Sequence, residues 1–433
     1  MSFVADKQTL DDLNLTGKFK AHSVYSLFNK AHTAGGERWL EQLFCTPLTD
    51  ATAINKRSGL FRYFQQKNSI FPFRRAGFKL AEEYLSHGSS GSVLAVAAGL
   101  LYKKFLQLLF RDEQYHQLQT GLAAAIDMLC TLEKLLQSLD VDLVQPAKKI
   151  LASKRLAWIH SEAGTQAFTI VKAARYGYLL RGVMSSDMEL LLNTVYQLDV
   201  YMAVSTVARD KKLGYAKALP AADNVFHAAA IWHPALDKAI PNSIDLNRNH
   251  NLLFLTGANM AGKSTFMKSF GIAVYLAHLG FPVAATNLEF SVREGLYSSI
   301  NVPDNLQLGY SHFYAEVMRV REAVAAVSSG RNMIVICDEL FKGTNVKDAF
   351  EATLTVSAGF SKYRNCLFII STHITEVGEA LREYPNISFA YLPTIMNGNV
   401  PAYTYRLAGG ITEDRHGMMI IQNERIIELL KEQ

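Results

Sequence analysis

The chain has 433 residues, a formal net charge of +5, 49% hydrophobic residues and 19% charged residues. This balance belongs to soluble globular proteins rather than disordered ones, and the length allows two or three domains with buried cores. The mild positive charge permits an anionic partner without demanding one.

The four cysteines, Cys45, Cys130, Cys337 and Cys366, are far apart and form no CxxC or Cys/His ligand pattern, so they read as reduced thiols in a cytoplasmic chain. The N-terminus MSFVADKQTLDDLN lacks the basic start and apolar run of a signal peptide. VLAVAAGLLY, Val93 to Tyr102, is the most apolar stretch. At ten residues it falls short of the ~20 that span a bilayer, which predicts a buried helix and no membrane partner.

Residues 1 to about 85 alternate helical patterns with turn signals, and SHGSSGS, Ser86 to Ser92, has the composition of a flexible connection. From there to about Lys212 apolar residues recur at three- and four-residue steps with almost no proline, which predicts long packed helices. The segment from about Gly214 to Asp245, richer in Pro, Asn and Asp, is expected to be a domain junction. After it, NLLFLTG, MIVICDE and CLFIIST are continuous apolar runs bounded by turn residues, as parallel strands buried on both faces require. FAYLPTIMNGNVPAYTYRL reads as a hairpin turning at Asn397–Gly398. The expected architecture is an α-helical domain over 1–213 and an α/β domain over 214–433, mostly parallel with an antiparallel addition.

GANMAGKS, Gly257 to Ser264, fits G-x-x-x-x-G-K-[ST], follows a strand-like run and opens a helix-like one. Such a P-loop curls so that successive backbone N–H groups face phosphates, with the helix N-terminus adding its dipole. The nucleotide-binding set is Gly257, Asn259, Met260, Ala261, Gly262, Lys263, Ser264 and Thr265. Lys263 would reach the β- and γ-phosphates of ATP, and Ser264 would ligate Mg²⁺. MIVICDE ends in Asp338, suited to hold Mg²⁺, and Glu339, suited to polarise the attacking water. His373, ending CLFIISTH, can hydrogen-bond a γ-phosphate or position water. In DNLQLGYSHFYAE, Gly309 and Ser311 precede a helix expected to begin near His312. Its N-terminus could face the γ-phosphate held by a second copy of the domain.

Each motif also has a blander reading. A glycine turn can match a P-loop by accident, a strand often ends in solvated acids, and Ser311 could cap only its own helix. Their order in one chain favours the functional reading.

These residues resemble the MutS family of DNA mismatch-repair ATPases. TGANMAGKSTFMK resembles the family's TGPNMGGKST segment, with Ala258 and Ala261 where Pro and Gly are usual. DNLQLGYSHFYAE resembles its D-D-L-x-x-G-x-S-T-F-x-x-E signature. CDELFKGTN, STHITEV and YRLAGGITEDRHGMMI resemble its later motifs. Ser26 to Phe61 is similar to the start of the family's core domain, in its T-x-x-G-x-R-x-L and P-L-x-D-x-x-x-I-x-x-R pattern. The resemblance implies a helical core and lever domain, an ABC-type ATPase domain, ATP and Mg²⁺, DNA as partner, and a homodimer in which Ser311 of one copy faces the nucleotide at Lys263 of the other.

Only about 25 residues precede the core segment, and no Phe-x-Glu tripeptide occurs, so mismatch-reading and connector domains are expected to be missing. The family's aromatic beside adenine falls at Ala239.

Two functions from different classes follow. One is a DNA-dependent ATPase in mismatch repair or a related repair or recombination process, with Lys103, Lys104, Lys148, Lys149, Lys211 and Lys212 as candidate phosphate contacts and downstream repair proteins as possible partners. The other is a nucleotide-switched module for a protein or ribonucleoprotein. A transporter-type ATPase fits poorly, since LGYSH is a weak match to that class's glycine-rich signature.

Overall fold

The computed structural model describes residues 3–17, 23–88, 92–110, 113–301, 312–397 and 400–412. Its helices are α1 (Lys7–Asp12), α2 (Val24–Phe28), α3 (Ala34–Cys45), α4 (Ala51–Lys67), α5 (Arg75–Ser86), α6 (Val93–Phe110), α7 (Gln114–Gln137), α8 (Gln145–Leu151), α9 (Ile159–Glu162), α10 (Ile170–Tyr178), α11 (Ser185–Asp210), α12 (Lys263–Leu279), α13 (His312–Ser328), α14 (Val346–Ser361) and α15 (Thr375–Ala380). The strands are β1 (Gly214–Leu219), β2 (Phe226–Ile231), β3 (Asn242–Leu246), β4 (Leu252–Gly257), β5 (Pro282–Val283), β6 (Asn287–Ser291), β7 (Gly295–Ser299), β8 (Met333–Cys337), β9 (Leu367–Ser371), β10 (Ile387–Leu392), β11 (Thr394–Asn397), β12 (Val400–Tyr403) and β13 (Ala408–Gly409). The N-terminal part is thus helical and the C-terminal part α/β.

Two compact units form. One comprises Asn29–Gln42 and Phe64–Ala203; the other comprises Met1–Phe28, Leu43–Tyr63 and Val204–Gln433.

In the helical unit, a buried carboxylate explains the T-x-x-G pattern at the start of α3. Asp199 on α11 accepts hydrogen bonds from the backbone N–H groups of His32 and Thr33 (2.8–3.0 Å) and from the Thr33 hydroxyl (2.8 Å). Thr33 Oγ1 in turn accepts from the Gly36 N–H at 2.9 Å, capping the helix. A Cβ on Gly35 would lie 2.3 Å from the Tyr196 ring, and one on Gly36 would lie 2.6 Å from Asp199. Both glycines are therefore required for α3 and α11 to approach.

The helix α6 corrects the sequence expectation. It runs 18 residues, and only Leu100 in it is buried. Leu94, Leu101, Phe105, Leu108 and Phe110 are all more than half exposed. Its apolar run was too weakly amphipathic to reveal which side, if any, packs.

In the α/β unit the main sheet has the order β13-β10-β4-β9-β8-β7. Its pairs from β10 to β7 are parallel and only β13 runs antiparallel. Every residue of β4, β8 and β9 is buried, as expected of strands covered on both faces. A second, mixed sheet has the order β3-β2-β6-β1-β5. The segment expected to be a junction therefore builds strands: Gly214 to Asp245 holds β1, β2 and most of β3. Its short strands, broken by Pro220 and Pro234, hid their alternation. α12 contacts β1, β2 and β5 of this sheet and β4 and β7 of the other, which places it between the two. The hairpin is β11 paired with β12, and its Gly398 lies outside the described residues.

The chain's start belongs to this unit. Val4 bridges Gly295 in parallel beside β7. Phe28, Phe44 and Phe61 surround Phe281 at ring distances of 4.8–5.6 Å, closing the far end of α12.

Candidate active site

The site forms where β4 passes into α12. Gly257 (φ 141°), Met260 (φ 69°) and Gly262 (φ 104°) all take positive φ, the curled backbone that a phosphate cradle requires. A Cβ on Gly257 would stand 3.3 Å from the Leu392 carbonyl oxygen, so glycine is needed for space as well as for angle. Ala261 is buried beneath the turn, whereas Asn259, Met260, Ser264 and Thr265 are exposed at its mouth.

Lys263 is 5% exposed, and its ammonium donates to the carbonyls of Gly257 (2.8 Å) and Ala258 (3.3 Å), folded back across the loop. Burial pushes its pKa down, and the carboxylates of Glu339 and Asp338 oppose that shift. Two carbonyls are weak compensation for a buried ammonium, so an anion at the loop would be a better partner.

The Ser264 hydroxyl donates to Asp338 Oδ2 at 2.5 Å, and the Ser371 hydroxyl donates to Asp338 Oδ1. A hydroxyl and a carboxylate side by side are the hard oxygen ligands that suit Mg²⁺, which takes its remaining ligands from water and phosphate. Among the described residues no group of three or more His, Cys, Asp or Glu is placed to hold a metal ion. Glu339 follows with φ 51°, its N–H bound to the Ser371 carbonyl at 3.0 Å. Phe341 is also left-handed, at φ 61°. Two non-glycine residues in that region are strain placed at the acidic end of β8. His373 stands exposed just past β9. Gly309 and Ser311 lie outside the described residues. α13 is described from His312 onward, and its buried Glu316 accepts from the Gly343 N–H at 3.3 Å.

Beside the P-loop lies a cavity of about 280 Å³ lined by Ile231, His233, Ala239, Ile240, Phe266 and Tyr405, among others. The Tyr405 ring sits against Gly262, where a Cβ would come within 3.0 Å of it. Asn242 fixes that loop by donating to the Tyr405 carbonyl (2.9 Å) and accepting from the Leu407 N–H (2.7 Å). Burial and nearby Lys268 push the His233 pKa down, so the ring that lines this cavity is held toward its neutral form. Ala239 leaves one wall thin, and Tyr405 supplies an aromatic surface that its position in the sequence did not announce.

A further set of residues escaped the sequence reading. Asp12 accepts from the Ser298 hydroxyl (2.9 Å) and from the N–H groups of Ile300 (2.8 Å) and Asn301 (3.2 Å). The carbonyl of Ser299, held between them, accepts the Asp338 N–H at 2.9 Å. Asp12 thus acts through β7 on the backbone of the acidic strand end. Arg319 on α13 pairs bidentately with Asp6, donates to the Ser298 carbonyl at 2.6 Å and stacks over Tyr297 at 3.8 Å. Nothing in the spacing of an Asp near the N-terminus announces a partner 286 residues away.

The six candidate lysines are scattered. Lys148 is engaged by the Leu139 carbonyl at 2.7 Å, whereas Lys149 and Lys104 are exposed. Lys103 lines a cavity with Tyr84 and Arg181 in the helical unit. Lys211 and Lys212 line another with Trp232 in the α/β unit.

Residues 8–205 match the family model of MutS domain III, and residues 253–429 match that of MutS domain V. The chain belongs to the MutS family. It is 26% identical over 228 residues to the DNA mismatch repair protein MutS of Pseudothermotoga lettingae, covering 52% of this chain and 28% of that protein. It is 28% identical over 240 residues to DNA mismatch repair protein MutS of Wolbachia pipientis wMel, covering 54% and 27%. Against DNA mismatch repair protein spellchecker 1 of Drosophila melanogaster the identity is 24% over 244 residues, covering 54% and 26%. The chain thus spans about a quarter of the length of these curated relatives. In MutS terms, the P-loop, the Asp338–Glu339 strand end and His373 all lie in the domain V match, and α3 to α10 lie in the domain III match.

Proposed function

We propose that this MutS-family chain is an ATPase that binds ATP with Mg²⁺ at the P-loop, hydrolyses it with Glu339, and couples turnover to DNA as a cytoplasmic homodimer. The process served is mismatch repair or a related repair or recombination pathway, with downstream repair proteins as further partners. The observation that carries this reading is the convergence of Lys263, Ser264, Asp338 and Glu339 at the mouth of one positive-φ loop.

Lys263 exchanges its two backbone carbonyls for phosphate oxygens when nucleotide binds. Thr265 and backbone N–H groups of the loop complete the cradle at the N-terminus of α12. Ser264 and Asp338 hold Mg²⁺, which neutralises phosphate charge when bound. Ser371 and the Ser299 carbonyl fix the Asp338 side chain and backbone, so little reorganisation is needed at the reaction step. Glu339, one residue on, polarises the attacking water, and His373 stands on the adjacent strand end to contact the γ-phosphate. The nucleobase would enter the cavity lined by Ile240, Gly262 and Tyr405, where Tyr405 offers an aromatic surface. In the dimer, Gly309 and Ser311 of one copy face the nucleotide of the other, which makes hydrolysis dependent on pairing.

The test is steady-state ATP turnover by the full chain with homoduplex, mismatched and branched DNA, each over a salt series. A change in rate with one DNA form, weakening as salt rises, is the expected result. Turnover that depends on Glu339 and ignores every nucleic acid would instead assign the switch to a protein or ribonucleoprotein partner.

A further inference from the structure

Residues near the N-terminus reach the helix that follows the DNLQLGYS segment. Val4 lies along β7, donating to the Glu294 carbonyl and accepting from the Leu296 N–H, both at 2.9 Å. α1 comes next and meets the end of the same strand, where Thr9 Oγ1 accepts from the Ser298 N–H at 2.9 Å. Asp6 caps α1, its Oδ1 accepting from the Thr9 N–H at 2.9 Å. The same carboxylate meets Arg319 of α13 through both oxygens, with Nη2 to Oδ1 at 3.0 Å.

Arg319 is not placed as a surface charge is. Its side chain is 6% exposed, lies over the Tyr297 ring at 3.8 Å, and donates to the Ser298 carbonyl at 2.6 Å and to Thr9 Oγ1 at 3.2 Å. Glu322, on the same helix and mostly exposed, is a weaker partner at 3.2 Å. Among the described residues Asp6 is the one carboxylate from another element that pairs with this buried guanidinium. A buried ion pair is weak evidence for stability, and its best-attested use is to fix register. Here the register is that of α13. The Tyr297 hydroxyl also donates to the Arg319 carbonyl, at 2.5 Å. Near the first described turn of α13, Glu316 accepts from the Gly343 N–H, and a Cβ on Gly343 would stand 3.0 Å from the Phe313 backbone. That loop leaves the acidic end of β8. The Asp6 contact lies about two turns further along the helix.

We propose that Asp6 and Arg319 are positioning residues for hydrolysis, setting the register of α13 so that Ser311, next to His312 in the sequence, meets the nucleotide of the opposite copy. The inference rests on the paired-copy reading above. Neither residue is among the groups that converge at the P-loop, and their effect is felt in the opposite copy's site. A route within one copy also exists, since Arg319 donates to Ser298 and the neighbouring Ser299 carbonyl accepts the Asp338 N–H. The two routes give opposite results when different copies are paired.

The experiment is steady-state ATP turnover of full chains co-expressed in pairs, in equal amounts, and purified together. Asp6→Asn keeps the α1 cap, because Asn caps as well as Asp, and removes the charge that meets Arg319. Alone it is expected to lose about tenfold in kcat with KM near the wild-type value, the cost of a misplaced group. Glu339→Gln alone is expected to turn over little ATP. Paired, about half of the dimers are mixed, and each mixed dimer holds one site with an intact Glu339 and an intact opposing α13. Turnover should then recover to about a quarter of wild type at the same total concentration. Ser311→Ala paired with Glu339→Gln is the control for the paired-copy reading and should recover likewise. Arg319→Gln, paired in the same way, replaces Asp6→Asn if circular dichroism shows that variant unfolded. Recovery in the Ser311 pairing without recovery in the Asp6 pairing would overturn the inference alone. Recovery in neither would overturn the paired-copy reading and the inference with it. Asp6→Asn that turns over ATP as wild type does would overturn it as well. If both Asp6→Asn and Arg319→Gln fail to fold, the pair is structural and the inference falls.

Discussion

α12 and α6 are helices of 17 and 18 residues, α6 the more apolar of the two, and the fold puts them to opposite uses. Fourteen residues of α12 are buried, including Lys263 at its first turn and His278 at its last, because a sheet lies on either side of it. In α6 only Leu100 is buried. Apolar composition therefore states what a helix can bury, and the number of layers around it states what it does bury. α12 carries the P-loop lysine on a rigid, fully packed support, where catalytic precision benefits. α6 keeps its apolar surface available.

The largest expected contrast is in truncation of an aromatic ring on each helix. Phe270 on α12 is wholly buried and meets Phe226 edge-on at 4.7 Å, so Phe270→Ala should cost about 3–5 kcal/mol in chemical denaturation. Phe105→Ala on α6 should stay within about 0.5 kcal/mol of wild type. Equal costs at the two positions would break the comparison.

Next is the acid response of α12. Burial pushes the His278 pKa down to about 3, below its ordinary 6.5, with Arg293 adding to the shift; the Leu48 carbonyl at 2.8 Å opposes it. The unfolded chain therefore takes up this proton first as pH falls. The stability tied to neutral His278 is complete above pH 6.5 and drains as pH drops toward 3, by about 2–3 kcal/mol at pH 4.5. Replacing His278 by Phe should flatten that part of the stability–pH curve, and an unchanged slope would count against a buried neutral imidazole.

The smallest effect sharpens the contrast best, because its sign reverses. A Cβ on Gly271 of α12 would lie 2.8 Å from the Leu13 methyls and 3.1 Å from the Ile336 methyl, so Gly271→Ala should destabilise by about 1–2 kcal/mol. At Gly99 of α6 nothing lies within 4 Å, and Gly99→Ala should stabilise by up to about 1 kcal/mol through helix propensity alone. Thermal shifts of opposite sign are the readout.

The same comparison explains which parts of the fold were legible in the sequence. β4, the P-loop and the start of α12 are contiguous, and each depends on residues within a few positions: apolar run, glycines, lysine, helix. The acidic end of β8 is local in the same sense. Asp12, Arg319 and Asp199 are different. Each is a polar residue whose meaning is a partner far along the chain, and its own neighbourhood carries no trace of that partner. The five-stranded sheet was hidden because β1, β2 and β3 are short, interrupted and rich in alanine and polar residues. For α6, the sequence shows how apolar the helix is but not how many layers would enclose it.

The nucleotide site itself is tested most directly by Glu339→Gln. This change keeps the side-chain shape and leaves Lys263, Ser264 and Asp338 in place. The account predicts that the variant still binds a fluorescent ATP analogue with wild-type affinity in the presence of Mg²⁺, while steady-state ATP turnover falls by a factor on the order of 10²–10⁴. Turnover that survives in Glu339→Gln, or a wild-type chain that binds no ATP at all, would contradict it.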